Sequence, residues 1–194
     1  MAVRIEQALP ESARAAAAAL YWEAFGRLLR PALGRSERRG IAVLTDGLDP
    51  SRAIVALDGD ALVGLVGLHY DGRAFTRLGA RSLLRHLGLA GVPRLVPLVL
   101  LAGRPAAGEL RIDGIAVRGD RRGAGIGSLL LREAAGRARA VGVDVIRLEV
   151  VDTNPRARSL YEREGYVAVR TEHTPYLRRA MGFGAVTTME RRVG

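Results

Sequence analysis

Hydrophobic positions along the chain recur with two periods, about 2 and about 3.6 residues, which are typical of strands and helices. Residues 2–8 alternate like a short strand, and residues 10–33 carry apolar side chains at helical spacing, which predicts a long helix. Residues 34–51 are rich in Arg, Gly, Asp and Pro. We predict a loop there, with a short helix or strand at its one apolar patch, 41–44.

A hairpin gives the clearest local signal. The apolar runs Ala53–Leu57 and Ala61–Tyr70 flank the turn Asp58-Gly59-Asp60. The second half of the chain then alternates between strand-like and helix-like segments. These segments predict strands over 110–117, 144–151, 166–170 and 184–191, and helices over 125–141 and 154–164.

This order of elements predicts an α/β fold of three layers, in which helices flank a mixed central sheet of about six to seven strands. Residues 71–107 interrupt the order. Leucines at positions 83, 84, 87 and 89 have the spacing of an amphipathic helix, so we expect a helical insertion at about 71–107. The chain shows neither an internal repeat nor a linker, which predicts a single domain over residues 1–194.

The charge of the chain first suggests a nucleic-acid partner. The 194 residues include 30 basic and 20 acidic side chains, for a formal net charge of +10, and every basic residue is Arg. A strongly basic chain has the electrostatic footprint of a nucleic-acid binder. However, the arginines are scattered through all segments and only 5% of the residues are aromatic, which leaves few rings for base stacking. A polyanionic small molecule fits the same charge.

Composition also excludes several kinds of site. With no Cys, the chain has no disulfide, no thiolate zinc site and no cysteine nucleophile. Its three histidines are widely spaced, so we expect no metal. The N-terminal residues do not have the pattern of an export signal, and the most apolar run, Leu95–Ala102, is too short to span a bilayer. We expect a cytoplasmic protein that does not bind membranes.

The most informative segment is a glycine-rich turn. The predicted strand ending at Val117 leads through Arg118-Gly119-Asp120-Arg121-Arg122 into Gly123-Ala124-Gly125-Ile126-Gly127-Ser128, where a helix begins. Glycines allow the backbone to come close to a ligand, and the free N–H groups of a first helical turn favour an anion. This turn therefore predicts a phosphate or pyrophosphate site, to which Arg122 adds a positive charge. A P-loop is excluded because the chain has no Lys, and the dinucleotide fingerprint requires a different glycine spacing.

A second segment follows the next predicted strand. In it Asn154 is placed to cap a helix, Ala157, Leu160 and Tyr161 share one helical face, and Gly165 is a suitable C-cap. The pattern Arg122-x-x-Gly125-x-Gly127, followed by Asn154, Ala157, Leu160-Tyr161 and Gly165-Tyr166, resembles the GNAT superfamily of acyl-CoA-dependent N-acyltransferases. The strong match covers residues 109–166.

The resemblance implies a GNAT-like fold and acetyl-CoA as co-substrate. It implies that the glycine turn binds the pyrophosphate of CoA through its backbone N–H groups. It also implies that the end of the preceding strand pairs with the pantetheine arm, which Asn154 hydrogen-bonds. The cofactor-binding residues implied in this way are Ile115, Ala116, Val117, Arg122, Gly123, Ala124, Gly125, Ile126, Gly127, Ser128 and Asn154.

The resemblance further implies a direct attack of an amine on the acetyl carbonyl, with a backbone N–H near Val117 stabilising the oxyanion. Tyr161 would protonate the leaving thiolate, although it is also compatible with an ordinary core aromatic. Strand alternation predicts that Glu109, Arg111, Asp113, Ile115 and Val117 share one face. On that face Glu109 and Asp113 are the candidate bases, unless Asp113 only pairs with an arginine. Glu149 is a further candidate, whereas His69 and His173 are expected to be surface or hairpin residues and not catalysts.

The sequence thus favours an enzyme, an N-acetyltransferase that acts on a primary amine of a small molecule or peptide. Two alternatives stay open, a CoA-binding regulatory domain without catalysis and a basic nucleic-acid-binding protein. The main interpretation expects no nucleic-acid partner, and it leaves open a homodimer.

Overall fold

The computed structural model describes residues 3–77, 79–88 and 108–194. In these ranges eight strands form one sheet. The strands are β1 (Arg4–Glu6), β2 (Ala53–Asp58), β3 (Ala61–Tyr70), β4 (Arg73–Ala74), β5 (Glu109–Val117), β6 (Val145–Val151), β7 (Val167–His173) and β8 (Ala185–Arg192). The helices are α1 (Arg14–Leu33), α2 (Glu37–Gly47), α3 (Ala80–Leu87), α4 (Ile126–Ala140), α5 (Pro155–Arg163) and α6 (Arg178–Met181).

The strands run in the order β1-β2-β3-β5-β6-β8-β7, and β4 pairs with β3 beside this path. Each described pair is antiparallel except β5 with β6, which is parallel. The predicted mixed sheet is therefore confirmed. It has one strand more than expected, because the two-residue strand β4 is too short to produce a periodic pattern.

Two apolar clusters cover the two faces of the sheet and confirm the three-layer arrangement. The first cluster packs α4 against the sheet, with Leu130, Leu131 and Ile146 fully buried. The second cluster packs α1 and α2 against the opposite face, with Leu33 and Leu44 fully buried. In the described ranges, no helix is long and apolar enough to cross a membrane.

Helix α2 was predicted only as a loop with a short element, and its eleven residues correct that prediction. The Ser36 side chain accepts a hydrogen bond from the Arg39 N–H and caps the helix. Gly40 lies directly under Trp22 of α1, where an added Cβ would be 2.1 Å from the ring. A contact with a distant helix therefore stabilises this segment. Of the insertion predicted at 71–107, the structure describes β4 and α3, and residues 89–107 lie outside the described residues.

A bulge in β5 changes which side chains share a face. Gly67 of β3 pairs with Gly114, but Leu68 pairs with Ile112, so Asp113 is an extra residue in β5. After the bulge, Ile115 and Val117 pack against the first cluster, on the side of α4. Glu109, Arg111 and Asp113 remain on the α1 side. The prediction that all five odd-numbered residues share one face is therefore wrong.

Candidate active site

The sheet opens between its two parallel strands. Strands β5 and β6 pair only at Glu109–Arg111 with Val145–Arg147. Beyond these residues the strands diverge, whereas β5 stays paired with β3 as far as Val117. Among the described residues, the last part of β5 therefore has no strand partner on its β6 side. Its outward backbone N–H and C=O groups are available for an extended ligand.

A cleft of about 840 Å³ lies at this opening. It is lined by the end of β5, the glycine turn, the first residues of α4, much of α5 and the Phe25 ring of α1. Nine of the eleven predicted cofactor-binding residues line it. Ala116 does not, because its side chain packs into the second cluster on the α1 side, and neither does the exposed Ala124. These two positions contribute no side chain to the cleft.

The glycine turn has the backbone geometry that its sequence requires. Gly123 has φ 83° and Gly125, which precedes the first residue of α4, has φ 79°. Non-glycine residues rarely adopt this left-handed conformation. Gly127 has another role, because an added Cβ would lie 2.9 Å from Leu160 of α5. The turn thus brings the free N–H groups of the first turn of α4 to the wall of the cleft.

Arginine side chains hold the turn against its neighbours. Arg121 forms an ion pair with Asp58 at the end of β2. Arg122 donates from Nε to the Val117 carbonyl at 3.1 Å and approaches Glu23 of α1 at 3.4 Å. The Arg122 guanidinium therefore lies across the end of β5, exposed and next to the cleft, where it adds positive charge.

Helix α5 forms the opposite wall. Asn154 caps it by accepting the Ala157 N–H at 3.2 Å, and Pro155 is its first residue. Tyr161 lines the cleft and is also buried in the first cluster, with its ring centroid 6.1 Å from that of Tyr166. Burial raises the pKa of Tyr161 to about 12. Its phenol is therefore fully protonated at neutral pH, and the core and cleft interpretations of this residue are both compatible with its position.

Asp113 is the centre of a buried polar cluster on the α1 side of β5. Its side chain is 7% exposed, and its Oδ1 accepts from Arg111 Nε at 3.2 Å and lies 3.6 Å from His69 Nδ1. Its Oδ2 is buried and has no hydrogen-bond partner among the described residues. Tyr21 donates to the Asp113 carbonyl at 3.3 Å, and burial, followed by the charge of Asp113, raises the pKa of Tyr21.

The other two candidate carboxylates are placed differently. Glu109 forms an ion pair with Arg147 at 2.8 Å, and Arg147 also contacts Glu190 at 2.5 Å. Glu109 belongs to the segment of β5 that is paired with β6, so the sheet is closed where it lies. Glu149 lies beyond the last pair of β5 with β6 and is exposed. None of these three carboxylates lines the cleft. Asp113 lies at the bulge just past the last pair of β5 with β6, Glu109 lies within the paired segment, and Glu149 lies on β6.

His69 lies in the second strand of the predicted hairpin, β3, and is largely buried there. Its side chain is only 12% exposed and lies next to Asp113. The cause is the pairing of β3 with β5, which brings His69 opposite Arg111. The one local indication that His69 is buried is its place between Leu68 and Tyr70, which are both buried. His173, at the end of β7, is exposed as expected.

Comparison with known proteins adds independent information. A family model described as "Acetyltransferase (GNAT) family" matches residues 16–166. No curated protein matches the sequence. Similar solved structures include a GCN5-related N-acetyltransferase from Kribbella flavida, 19% identical, with a TM-score of 0.62 and coverage of 98% of each chain.

Two further similar structures come from other organisms. The ribosomal-protein-S18-alanine N-acetyltransferase from Escherichia coli is 17% identical, with a TM-score of 0.59 and coverage of 100% of this chain and 95% of that one. Ard1 from Thermoplasma volcanium is 17% identical, with a TM-score of 0.63 and coverage of 100% of this chain and 99% of that one. At such identities the likeness shows a shared fold.

Proposed function

Because the chain belongs to the GNAT family of acetyltransferases and is therefore an acyltransferase, we propose that it transfers an acetyl group from acetyl-CoA directly to a primary amine. The proposal rests on the cleft between β5 and β6, which combines an open strand edge, a glycine turn and a buried phenol. In acetyl-CoA the extended pantetheine arm matches the strand edge, the pyrophosphate matches the glycine turn, and the thioester matches the phenol.

The donor would bind along the cleft. The pyrophosphate accepts hydrogen bonds from the N–H groups of residues 122–128, where the dipole of α4 favours negative charge. The pantetheine arm pairs with the open edge of β5 at Ile115–Val117 as an added strand. The Asn154 amide, whose oxygen caps α5, retains its N–H groups for the arm.

The transfer is direct and needs no covalent intermediate on the enzyme. The amine nitrogen attacks the acetyl carbonyl, and a backbone N–H near Val117 stabilises the oxyanion. As the C–S bond breaks, Tyr161 donates its proton to the departing sulfur, and the proton that the attacking nitrogen loses returns to the phenolate. The phenol is protonated at neutral pH, as this role requires, and burial raises its pKa to about 12.

An acceptor amine arrives as an ammonium ion and must lose a proton before it attacks. We favour Asp113 as the proton acceptor, acting directly or through water. Its Oδ2 is buried without a partner among the described residues, and it lies at the bulge where β5 leaves β6. Glu109 is the second candidate. Both carboxylates contact an arginine, but Glu109 lies where β5 and β6 are still paired, which speaks against it. Among the similar structures is an enzyme for the alanine of a ribosomal protein, so peptide amines belong among the acceptors to be tried.

Thermal unfolding with added ligand tests the donor. Acetyl-CoA at a hundred times its Kd should raise the melting temperature by about 5–10 °C, because it binds only the folded state. The absence of any shift with acetyl-CoA or CoA would contradict the proposal. A shift with a DNA oligonucleotide alone would favour the nucleic-acid interpretation, which the net charge of +10 suggests.

Thiol release tests the transfer itself. The protein is mixed with acetyl-CoA and a panel of small amines, amino acids and peptides, and free CoA is measured with a thiol reagent. We expect acceptor-dependent release with at least one amine class. Binding of CoA without release across the panel would instead indicate a CoA-binding regulatory domain.

A further inference from the structure

Among the described residues, strand β7 forms one edge of the sheet and is uncovered. It pairs with β8 on one side, and all seven of its residues are exposed. Val167 and Val169 are 63% and 50% exposed, although valine is among the residues most often buried. An uncovered edge presents unpaired N–H and C=O groups, so β7 is able to accept a further strand.

The charged side chains of β7 determine which strand fits. Arg170 and Glu172 lie on one face of the strand and contact each other at 3.0 Å. In an antiparallel pair, directly opposite residues on one face interact. A fitting strand therefore carries Glu opposite Arg170 and Arg opposite Glu172. A second copy of β7 meets both conditions when the two Thr171 residues lie opposite each other.

We propose that β7 is a self-association surface, at which two copies of the chain join edge to edge around Thr171. In this register two ion pairs form, and each joins Arg170 of one copy to Glu172 of the other. Shifting the centre to Arg170 or to Glu172 places like charges directly opposite, which is destabilising. Charge thus selects the partner and the register together.

A bulge limits the length of this ladder. The register of β7 against β8 slips between Ala168 and Arg170, so the regular part of the edge is Arg170–His173. Such a short ladder buries little surface, and we expect a reversible dimer. The cleft between β5 and β6 lies beyond β8, away from this edge. Self-association is therefore independent of the proposed acetyl transfer, and either can fail without the other.

Charge reversal tests the register. Sedimentation equilibrium is measured for the full chain and for Arg170→Glu, Glu172→Arg and the double variant. Each single variant places two like-charge pairs across the interface, so we expect its dimer dissociation constant to rise at least about tenfold. The double variant restores opposite charges and should return to within about threefold of the wild-type constant.

A matched control separates the interface from overall charge. Arg38→Glu, on an exposed position of α2, makes the same change in net charge as Arg170→Glu and should leave the dissociation constant unchanged. Circular dichroism verifies that each variant is folded. A wild-type chain that stays monomeric at all concentrations overturns the proposal. So does a dimer that both single variants leave intact, or a double variant that is not restored.

Discussion

Tyr161 belongs to the core and to the cleft, so its ring and its hydroxyl can be tested separately. The ring packs within the first cluster, while the residue lines the wall between α5 and the glycine turn. Removing the hydroxyl alone keeps the packing and takes away the proton donor. A tyrosine with a purely structural role would tolerate the loss of its hydroxyl without a loss of activity.

Tyr161→Phe should lower kcat by about a hundredfold, because general acid catalysis typically contributes at least that much. Acetyl-CoA affinity should stay nearly unchanged, since the ring remains. Thiol release gives the rate, and the melting shift with acetyl-CoA gives the affinity. Equal rates for the variant and the wild type would show that Tyr161 is only a core aromatic.

The two candidate bases, Asp113 and Glu109, can be distinguished by substituting each carboxylate with its amide. Asp113→Asn should lower kcat/KM by about a hundredfold at neutral pH. The loss should shrink as pH rises, because free amine then becomes available without a protein base. Glu109→Gln breaks the contact with Arg147 and should reduce stability more than turnover. The measurements are kcat/KM as a function of pH and the melting temperature of each variant. If Glu109→Gln lowers kcat/KM and Asp113→Asn mainly lowers stability, Glu109 is the base.

Side-chain roles were predictable from sequence only where the roles are local. The helix cap at Asn154 and the glycine positions follow from neighbouring residues, and the structure has them as expected. The contact of His69 with Asp113 joins residues of two strands that are distant in sequence. It depends on the register of β3 with β5, which no local pattern specifies.

At the scale of elements, a glycine that precedes α4 and a glycine within it have opposite requirements. Gly125 has a positive φ and open space around its Cβ position, whereas Gly136 lies within the helix with equally open space and no positive φ. Backbone conformation is therefore the difference between the two sites. The same substitution should act in opposite directions at them.

Gly125→Ala should destabilise the protein by about 1–2 kcal/mol, because alanine is strained in a left-handed conformation. Gly136→Ala should stabilise it by about 0.5–1 kcal/mol, since alanine favours the helix interior. Urea unfolding of both variants measures the two changes. A loss of acetyl-CoA affinity confined to Gly125→Ala would link the strained turn to donor binding, and equal stability of the two variants would contradict the backbone argument.

Elements with strong periodicity were predicted within a few residues, among them the hairpin and the alternating elements of the second half. Two features were not predictable. Helix α2 depends on the close fit of Gly40 under Trp22 of another helix. The bulge at Asp113 depends on the pairing with β3, and it reversed the face on which Ile115 and Val117 lie.

At the scale of the whole molecule, three tyrosines with raised pKa values contribute to the response to alkaline pH. Burial raises the pKa values of Tyr21, Tyr161 and Tyr166 above 10.0, the ordinary value. Between pH 10 and 12 the unfolded chain loses these protons first, so the native state loses stability as pH rises. Below pH 10 this contribution is fully present.

The stability loss from pH 10 to 12 should be smaller in Tyr161→Phe than in the wild type, by roughly 2–3 kcal/mol. Urea midpoints at several pH values measure it. Tyr176 is largely exposed, so Tyr176→Phe is the matched control and should follow the wild-type curve. Identical pH dependence for Tyr161→Phe and the wild type would mean that burial does not perturb this phenol.

The short pairing of β5 with β6 has a consequence for the cooperativity of unfolding. Three residue pairs join the two halves of the sheet along this line, and among the described residues no further strand pairing joins them. Amides on the open edge of β5 should thus exchange with solvent deuterium faster than those bonded to β3. A ligand seated there would act as a strand that the described residues do not supply, and it would join two partly separate folding units into one.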